Sequence, residues 1–301
     1  MSTSAASLRP AGLTALLHEV GPLWARDIRA AGDRVKAAYL PWLASAPKQG
    51  VHCTRNLSYG AHARQVLDIY QPHDARQAPV LLFLHGGAFV RGDKDINAEM
   101  YGNVLTWFAR QGYVGVNVEY RLAPDAPYPG PVHDVAQALA WVVAHIRSYG
   151  GDPGHLALLG HSAGGTHAAS YACDPALGYL GRYLRCVVLV SARLRADTLA
   201  CNPNAEGVRA YFGDDAALLA QHSPVTHAHH ARVPMLIVNA QYENPLLDVY
   251  GLEMAYRLAE HQGRAPPYLW LPEHNHVSIM AHFNTPEQFL GEQILDFIDR
   301  L

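Results

Sequence analysis

Cysteine is scarce in this chain, with four in 301 residues. Cys53, Cys173, Cys186 and Cys201 are widely and unevenly spaced, and none forms a Cys-x-x-Cys pair. That spacing argues against a disulfide framework or a structural zinc site and fits reduced thiols in a cytoplasm. No apolar run approaches the ~18 residues of a membrane span. The opening "MSTSAASLRPAG" lacks a basic segment followed by an apolar core, so no signal peptide is expected. Charge is sparse too: 16% of residues are charged, the net charge is −3, and no lysine or arginine block occurs, so a nucleic-acid partner is not expected. The composition points to a soluble, cytoplasmic protein; with the motifs below, a small-molecule partner and no bound metal or cofactor are expected. It leaves a homodimer open.

Apolar residues and histidine are plentiful. Half the residues are apolar and 18 are histidine, so a large core is available and the charge changes noticeably between about pH 5 and 8. Residues 1–50 read as an N-terminal helical arm, because Leu13, Leu16, Leu17 and Val20, then Val35, Tyr39 and Trp42, recur at helical spacing. Pro41 and "SAPKQG" end it. The arm reads either as a helix packed on the core or as a lid over a pocket, since it carries Trp24, Tyr39 and Trp42.

From residue 51 to 301, strand and helix patterns alternate. Strands are predicted over 66–70, 79–84, 114–120, 155–160, 185–191, 234–240 and 267–272. Helices are predicted over 98–110, 132–147, 163–173, 247–262 and 286–300. Continuous apolar strands alternating with helices imply a mostly parallel sheet covered on both faces, an α/β fold. The early strands, joined by a short turn, read as an antiparallel edge. Between 192 and 232 the alternation lapses, and "NPNAEG", "FGDD" and "THAHHA" suggest a cap-like insertion.

Two corners carry chemistry. At the first, the apolar run ending in "FLHGG" brings His85, Gly86 and Gly87 to a strand end. At the second, "HLALLGHSAGG" sets Gly160-His161-Ser162-Ala163-Gly164 between a strand pattern and a helix pattern, the context that a Gly-x-Ser-x-Gly nucleophile turn requires. A serine attacking a carbonyl creates an oxyanion, which needs preorganised donors. Backbone N–H groups of Gly86, Gly87 and Ala163 are the expected set, Ala163 adding the positive end of a helix. His85 is expected to anchor the loop by hydrogen bonding. The serine needs a base, and the base an orienting acid, in the chain order serine, acid, histidine. "NAQYENPLLD" offers Glu243, three residues past Ala240, with Asp248 as the alternative. "EHNHVSIM" offers His276, with His274 as the fallback and His282 further on.

Together "HGGAF", "YRLAPDAPYPGPVHDV" and "GHSAGG" resemble the hormone-sensitive-lipase-type carboxylesterases of the α/β-hydrolase superfamily. The resemblance covers roughly residues 60 to 301. It implies an eight-stranded, mostly parallel sheet with helices on both faces and a small helical cap. It also implies a triad of Ser162, an acid and a histidine, and an oxyanion hole from Gly86, Gly87 and Ala163. Ala88 replaces the family's usual third glycine, and "QYENPL" replaces its usual "E-x-D-P-L". Aligning the tyrosine puts Glu243 at the acid. The "HNHVS" ending also resembles the arylformamidase-like branch, so the expected activity is cleavage of small carboxylic esters, with N-formyl amides as the alternative. A non-enzymatic receptor on this fold would lack a triad member, whereas candidates for all three are present. His222, His227, His229 and His230 match no metal-ligand spacing and read as a solvated loop. Arg121 and Asp134 are expected to pair under the active-site loops, as the family comparison suggests, and "GDKD" at 92–95 to be loop surface.

Overall fold

Along the third strand, Val80, Leu82 and Leu84 face one way while Leu81 and Phe83 face the other, and all five are buried. A strand apolar on both sides needs cover on both sides, and that requirement organises the molecule. The computed structural model describes residues 8–301; the first seven residues of the arm, and with them most of the segment read for a signal peptide, lie outside it. The arm forms helices α1 (Ala11–Val20) and α2 (Ile28–Ala44). The sheet comprises β1 (Val51–Ser58), β2 (Val66–Pro72), β3 (Ala78–Leu84), β4 (Val114–Val118), β5 (Gly151–His161), β6 (Leu184–Val190), β7 (Met235–Tyr242) and β8 (Tyr268–Asn275). Between and after these strands run α3 (Gly102–Arg110), α4 (Gly130–His145), α5 (Ala163–Cys173), α6 (Ala205–Phe212), α7 (Ala216–His222), α8 (Leu247–Gln262), α9 (Ser278–Ala281) and α10 (Phe289–Asp299).

The eight strands lie in the order β1-β2-β4-β3-β5-β6-β7-β8. From β4 to β8 all pairings are parallel, while β2 runs antiparallel to both β1 and β4. The antiparallel edge exists, but β2 and β3 are not neighbours, because β4 enters between them. A short connection limits how far apart two strand ends lie; it does not make the strands pair. One sheet face buries apolar residues of α4, α5 and α8, and the other those of α3, α10 and the arm. The predicted helices over 163–173 and 247–262 match α5 and α8. The one predicted from 98 starts instead at Gly102, because the Asn97 side chain accepts from the N–H groups of Glu99 and Met100 and holds a turn there. No helix among the described residues is long and apolar enough to cross a membrane.

The lapse after β6 folds into α6, α7 and a 3-10 segment, Pro224–His230. Val208, Tyr211, Phe212 and Leu219 from this insertion close over Phe89 and Ala163. The four histidines therefore do not form a loop: His222 ends α7 and stacks on Tyr128 at 4.4 Å, and the other three lie on the 3-10 segment. Among the described residues, no group of three or more His, Cys, Asp or Glu side chains is placed to hold a metal ion.

The arm packs on the core through Leu13, Leu17, Val20, Val35, Tyr39 and Leu43, all buried. It also holds the loops that follow β7 and β8. Trp24 Nε1 donates to Asn244 Oδ1 at 2.9 Å, and an added Cβ on Gly32 would sit 3.5 Å from Val277. Before α1, the buried Arg9 guanidinium binds Glu287 at 2.6 and 2.7 Å, and His274 Nε2 lies 2.9 Å from Glu287 Oε1. Burial alone would raise the Glu287 pKa, but hydrogen bonds from His274 and Arg9 outweigh it and hold the carboxyl far below its usual range. A depressed carboxylate stabilises the fold fully above its unfolded-state value and loses that contribution as pH falls through the folded-state value. Thermal midpoints of the wild type should therefore drop on acidification below about pH 4.5, and those of Glu287→Gln should fall less steeply over the same window. Parallel acid limbs in the two proteins would show that this ion cluster does not govern acid stability.

Candidate active site

Register alone brings the two corners together. β3 and β5 are parallel neighbours, with Leu84 opposite Gly160, so the residues leaving the two strands emerge side by side. An added Cβ on Gly86 would lie 3.0 Å from Ser162 Cβ. The elbow has room for no side chain on its flanks. A Cβ on Gly160 would stand 2.5 Å from Gly164 O, and one on Gly164 would stand 2.3 Å from Leu84 O. Ser162 itself has φ 55° and ψ −118°, a strained conformation for a non-glycine residue, and it immediately precedes α5. Sharp turning at this point leaves the side chain partly exposed at the carboxyl end of the sheet, where open α/β sheets place their ligands.

Ser162 Oγ lies 3.0 Å from His276 Nε2, and His276 Nδ1 lies 2.8 Å from Glu243 Oε2. The second carboxylate oxygen of Glu243 accepts from the Ala240 N–H at 2.9 Å and from the Ser191 hydroxyl. Both oxygens are thus occupied, which fixes the carboxylate plane against the imidazole. Asp248 lies in the first turn of α8, where its Oδ1 accepts from the Val249 N–H, and it does not touch His276. His274 is buried with Arg9 and Glu287, and His282 bonds Ser278 O. Only His276 of the three reaches Ser162, so His276→Ala should remove nearly all turnover while Tm stays close to wild type. His274→Ala should instead lower Tm by breaking the Arg9–Glu287 cluster. Measuring kcat and Tm for both variants separates the two roles, and the reverse pattern would exchange them.

The glycine loop expected on the oxyanion side leaves β3 at His85. Gly87 has φ 152°, and a Cβ there would fall 1.8 Å from Arg91 O, so only glycine fits this turn. Ala88, in place of a third glycine, takes φ 50°. Ala163 opens α5, so its N–H has no partner within the helix. The Gly86 N–H points at Tyr101 Oη, 3.4 Å away. Behind the loop, His85 is fully buried, stacks on Tyr120 at 4.2 Å, and its Nε2 donates to Glu119 Oε1 at 2.9 Å. Arg121 and Asp134 pair as expected, at separations of 2.6 to 3.0 Å. "GDKD" is loop surface only in part, since Asp93 is exposed while Gly92 and Asp95 are half-buried. Lys94 is buried, with Nζ 2.9 Å from Asp68 and 2.8 Å from Asp95, because the segment turns inward to brace the loop.

Sequence reasoning missed Ser191, Tyr101 and His161 as partners of these groups. Ser191 had a signal, since it is the first polar residue after the apolar run of β6. Tyr101 had none, because nothing local shows where its hydroxyl ends.

The BD-FAE family model matches residues 67–176. Esterase LipC of Mycobacterium tuberculosis is 39% identical over 113 residues, which span 37% of this chain and 27% of that protein. Esterase LipQ of the same organism is 24% identical over 278 residues, covering 86% of this chain and 65% of LipQ. The chain thus spans less than two thirds of the length of either relative. Among solved structures, Esterase B from Lactobacillus rhamnosis superposes with a TM-score of 0.74 at 21% identity, covering 97% of this chain and 96% of that one. Strand order, the glycine-flanked serine elbow and these likenesses agree: the chain has the α/β-hydrolase fold.

Proposed function

We propose that the chain is a serine hydrolase that cleaves small carboxylic esters through an acyl-enzyme intermediate. The observation that carries this reading is the hydrogen-bonded line from Ser162 Oγ through His276 to Glu243, with separations of 3.0 and 2.8 Å. In this reading Ser162 Oγ attacks the ester carbonyl as His276 Nε2 takes its proton. Glu243 holds the imidazole by its Nδ1–H and stabilises the imidazolium that forms. The carbonyl oxygen becomes an oxyanion facing the N–H groups of Gly87 and Ala163, which need no reorganisation when charge develops. As the tetrahedral centre collapses, the C–O bond to the alcohol breaks and His276 returns its proton to the leaving oxygen. Water then attacks the acyl-Ser162 carbonyl, giving one proton to His276, and the acid leaves as Ser162 is regenerated.

Esters are favoured over amides because LipC, LipQ and Esterase B are all named as esterases. The four cysteines are unpaired, which supports a reducing compartment such as the cytoplasm. Turnover of p-nitrophenyl acetate and butyrate, together with covalent labelling of Ser162 by a fluorophosphonate, tests the proposal. Well-folded protein that neither hydrolyses these esters nor takes the label would overturn it.

A further inference from the structure

Three groups outside the Ser162–His276–Glu243 line form a second, directed chain of hydrogen bonds. The Gly86 N–H donates to Tyr101 Oη at 3.4 Å, Tyr101 Oη lies 3.0 Å from His161 Nδ1, and His161 Nε2 lies 3.0 Å from the backbone oxygen of His276. Proton positions follow from the partners. A carbonyl only accepts, so His161 Nε2 carries the hydrogen. In a neutral ring Nδ1 is then the acceptor, and the Tyr101 hydroxyl donates to it. The tyrosine oxygen in turn accepts from Gly86. Burial keeps the His161 ring neutral, far below the usual imidazole range. Both side chains are almost fully buried. Tyr101 also packs against Phe83 of β3, with ring centroids 4.9 Å apart.

This chain touches each moving part of the site. His161 is the residue before Ser162, Gly86 is the residue before Gly87, and His276 is held at its own carbonyl. The His276 backbone is otherwise tied by its N–H to Tyr242 O at 3.1 Å, so the bond from His161 fixes the opposite side of the same residue. We propose that Tyr101 and His161 are positioning residues, a buried strut that sets the spacing between the oxyanion-side loop, Ser162 and His276. The role rests on the serine-hydrolase reading. The Gly86 N–H anchors one end of the strut.

Tyr101→Phe removes one oxygen and keeps the ring packing, so it is the primary test, with His161→Leu and His161→Gln beside it. A reacting geometry loosened by a fraction of an ångström should cost about tenfold in kcat for Tyr101→Phe and up to about a hundredfold for His161→Leu. KM on p-nitrophenyl butyrate should change by less than about threefold, and Tm of Tyr101→Phe should fall by about 2–6 °C, the effect of leaving a buried donor and acceptor unpaired. His161→Gln, whose amide can still donate to the His276 carbonyl, should recover most of the loss. A readout independent of turnover is the downfield proton signal of His276 Nδ1–H on Glu243. It should be sharp in the wild type and broadened by exchange in Tyr101→Phe and His161→Leu. Wild-type kcat and an unchanged imidazole signal in Tyr101→Phe would overturn the strut. An inactive, unlabelled wild type would overturn the serine-hydrolase reading instead, while the proton signal would still decide the strut.

Discussion

Ser162→Ala should abolish ester turnover, lowering kcat by about a millionfold, the scale on which removing the nucleophile of a cooperating triad acts. Stability should barely move. The alanine keeps the Cβ and inherits the same φ of 55°, and the side-chain hydrogen bond it removes is the one to His276 Nε2 at 3.0 Å. Ser162→Gly makes the complementary case. It also removes the nucleophile, but glycine adopts a positive φ without the cost that a side chain incurs, so stability should rise by about 1 kcal/mol. In a chain of this size that is a Tm increase of about 2 °C. Kinetics on p-nitrophenyl butyrate and scanning calorimetry on the three proteins check both statements. Substantial residual turnover in Ser162→Ala would move the nucleophile elsewhere, and a lower Tm in Ser162→Gly would show that the elbow is not strained.

The largest loss of stability is expected at Glu119→Ala. Glu119 is 3% exposed and accepts from four groups: His85 Nε2 at 2.9 Å, the Lys94 N–H at 2.8 Å, the Tyr120 N–H at 3.1 Å and the Arg64 guanidinium. Burial alone would raise its pKa, yet the hydrogen bond and charge of His85, with Arg64 and the Lys94 amide, hold the carboxyl below its usual range. Alanine would leave these donors facing a cavity with no acceptor. Removing one member of a buried charged cluster costs about 3–5 kcal/mol, so Tm should drop by roughly 6–10 °C. Activity should fall in the same variant, because His85 would lose the partner that holds the oxyanion-side loop. Chemical denaturation of Glu119→Ala decides the matter: a loss below about 1 kcal/mol would mean that solvent or neighbouring groups replace the carboxylate.

Much of the architecture is written locally. The apolar runs of β3 to β7 and the helical spacing of α5 and α8 suffice to locate those elements, because period and burial are properties of neighbouring residues. The Ser162 corner is equally local: glycines at 160 and 164 are required by a turn whose ends are four positions apart. The tyrosine alignment of "QYENPL" pointed to Glu243 for a similar reason, since the acid's distance from its strand end is a matter of a few residues.

Other features depend on which strands lie side by side. β2 pairs with β4 rather than β3 because β4 enters between them, and no short segment encodes that choice. Lys94 looked like loop surface until its loop folded onto Asp68, a carboxylate 26 residues earlier on a different element. The sequence ranks His276 ahead of His274 but shows no partner for either. They part company only when Arg9 and Glu287 enclose one and Glu243 and Ser162 meet the other. By itself the sequence determined the alternating elements, the cramped serine corner and the glycine-bearing loop, all of which arise from residues in direct succession. The tertiary structure alone decided the strand neighbours, the separate partners of His274 and His276, the buried lysine and the Tyr101–His161 strut. Those pairings join residues tens to hundreds of positions apart, and only the register of packed strands sets the distances between them.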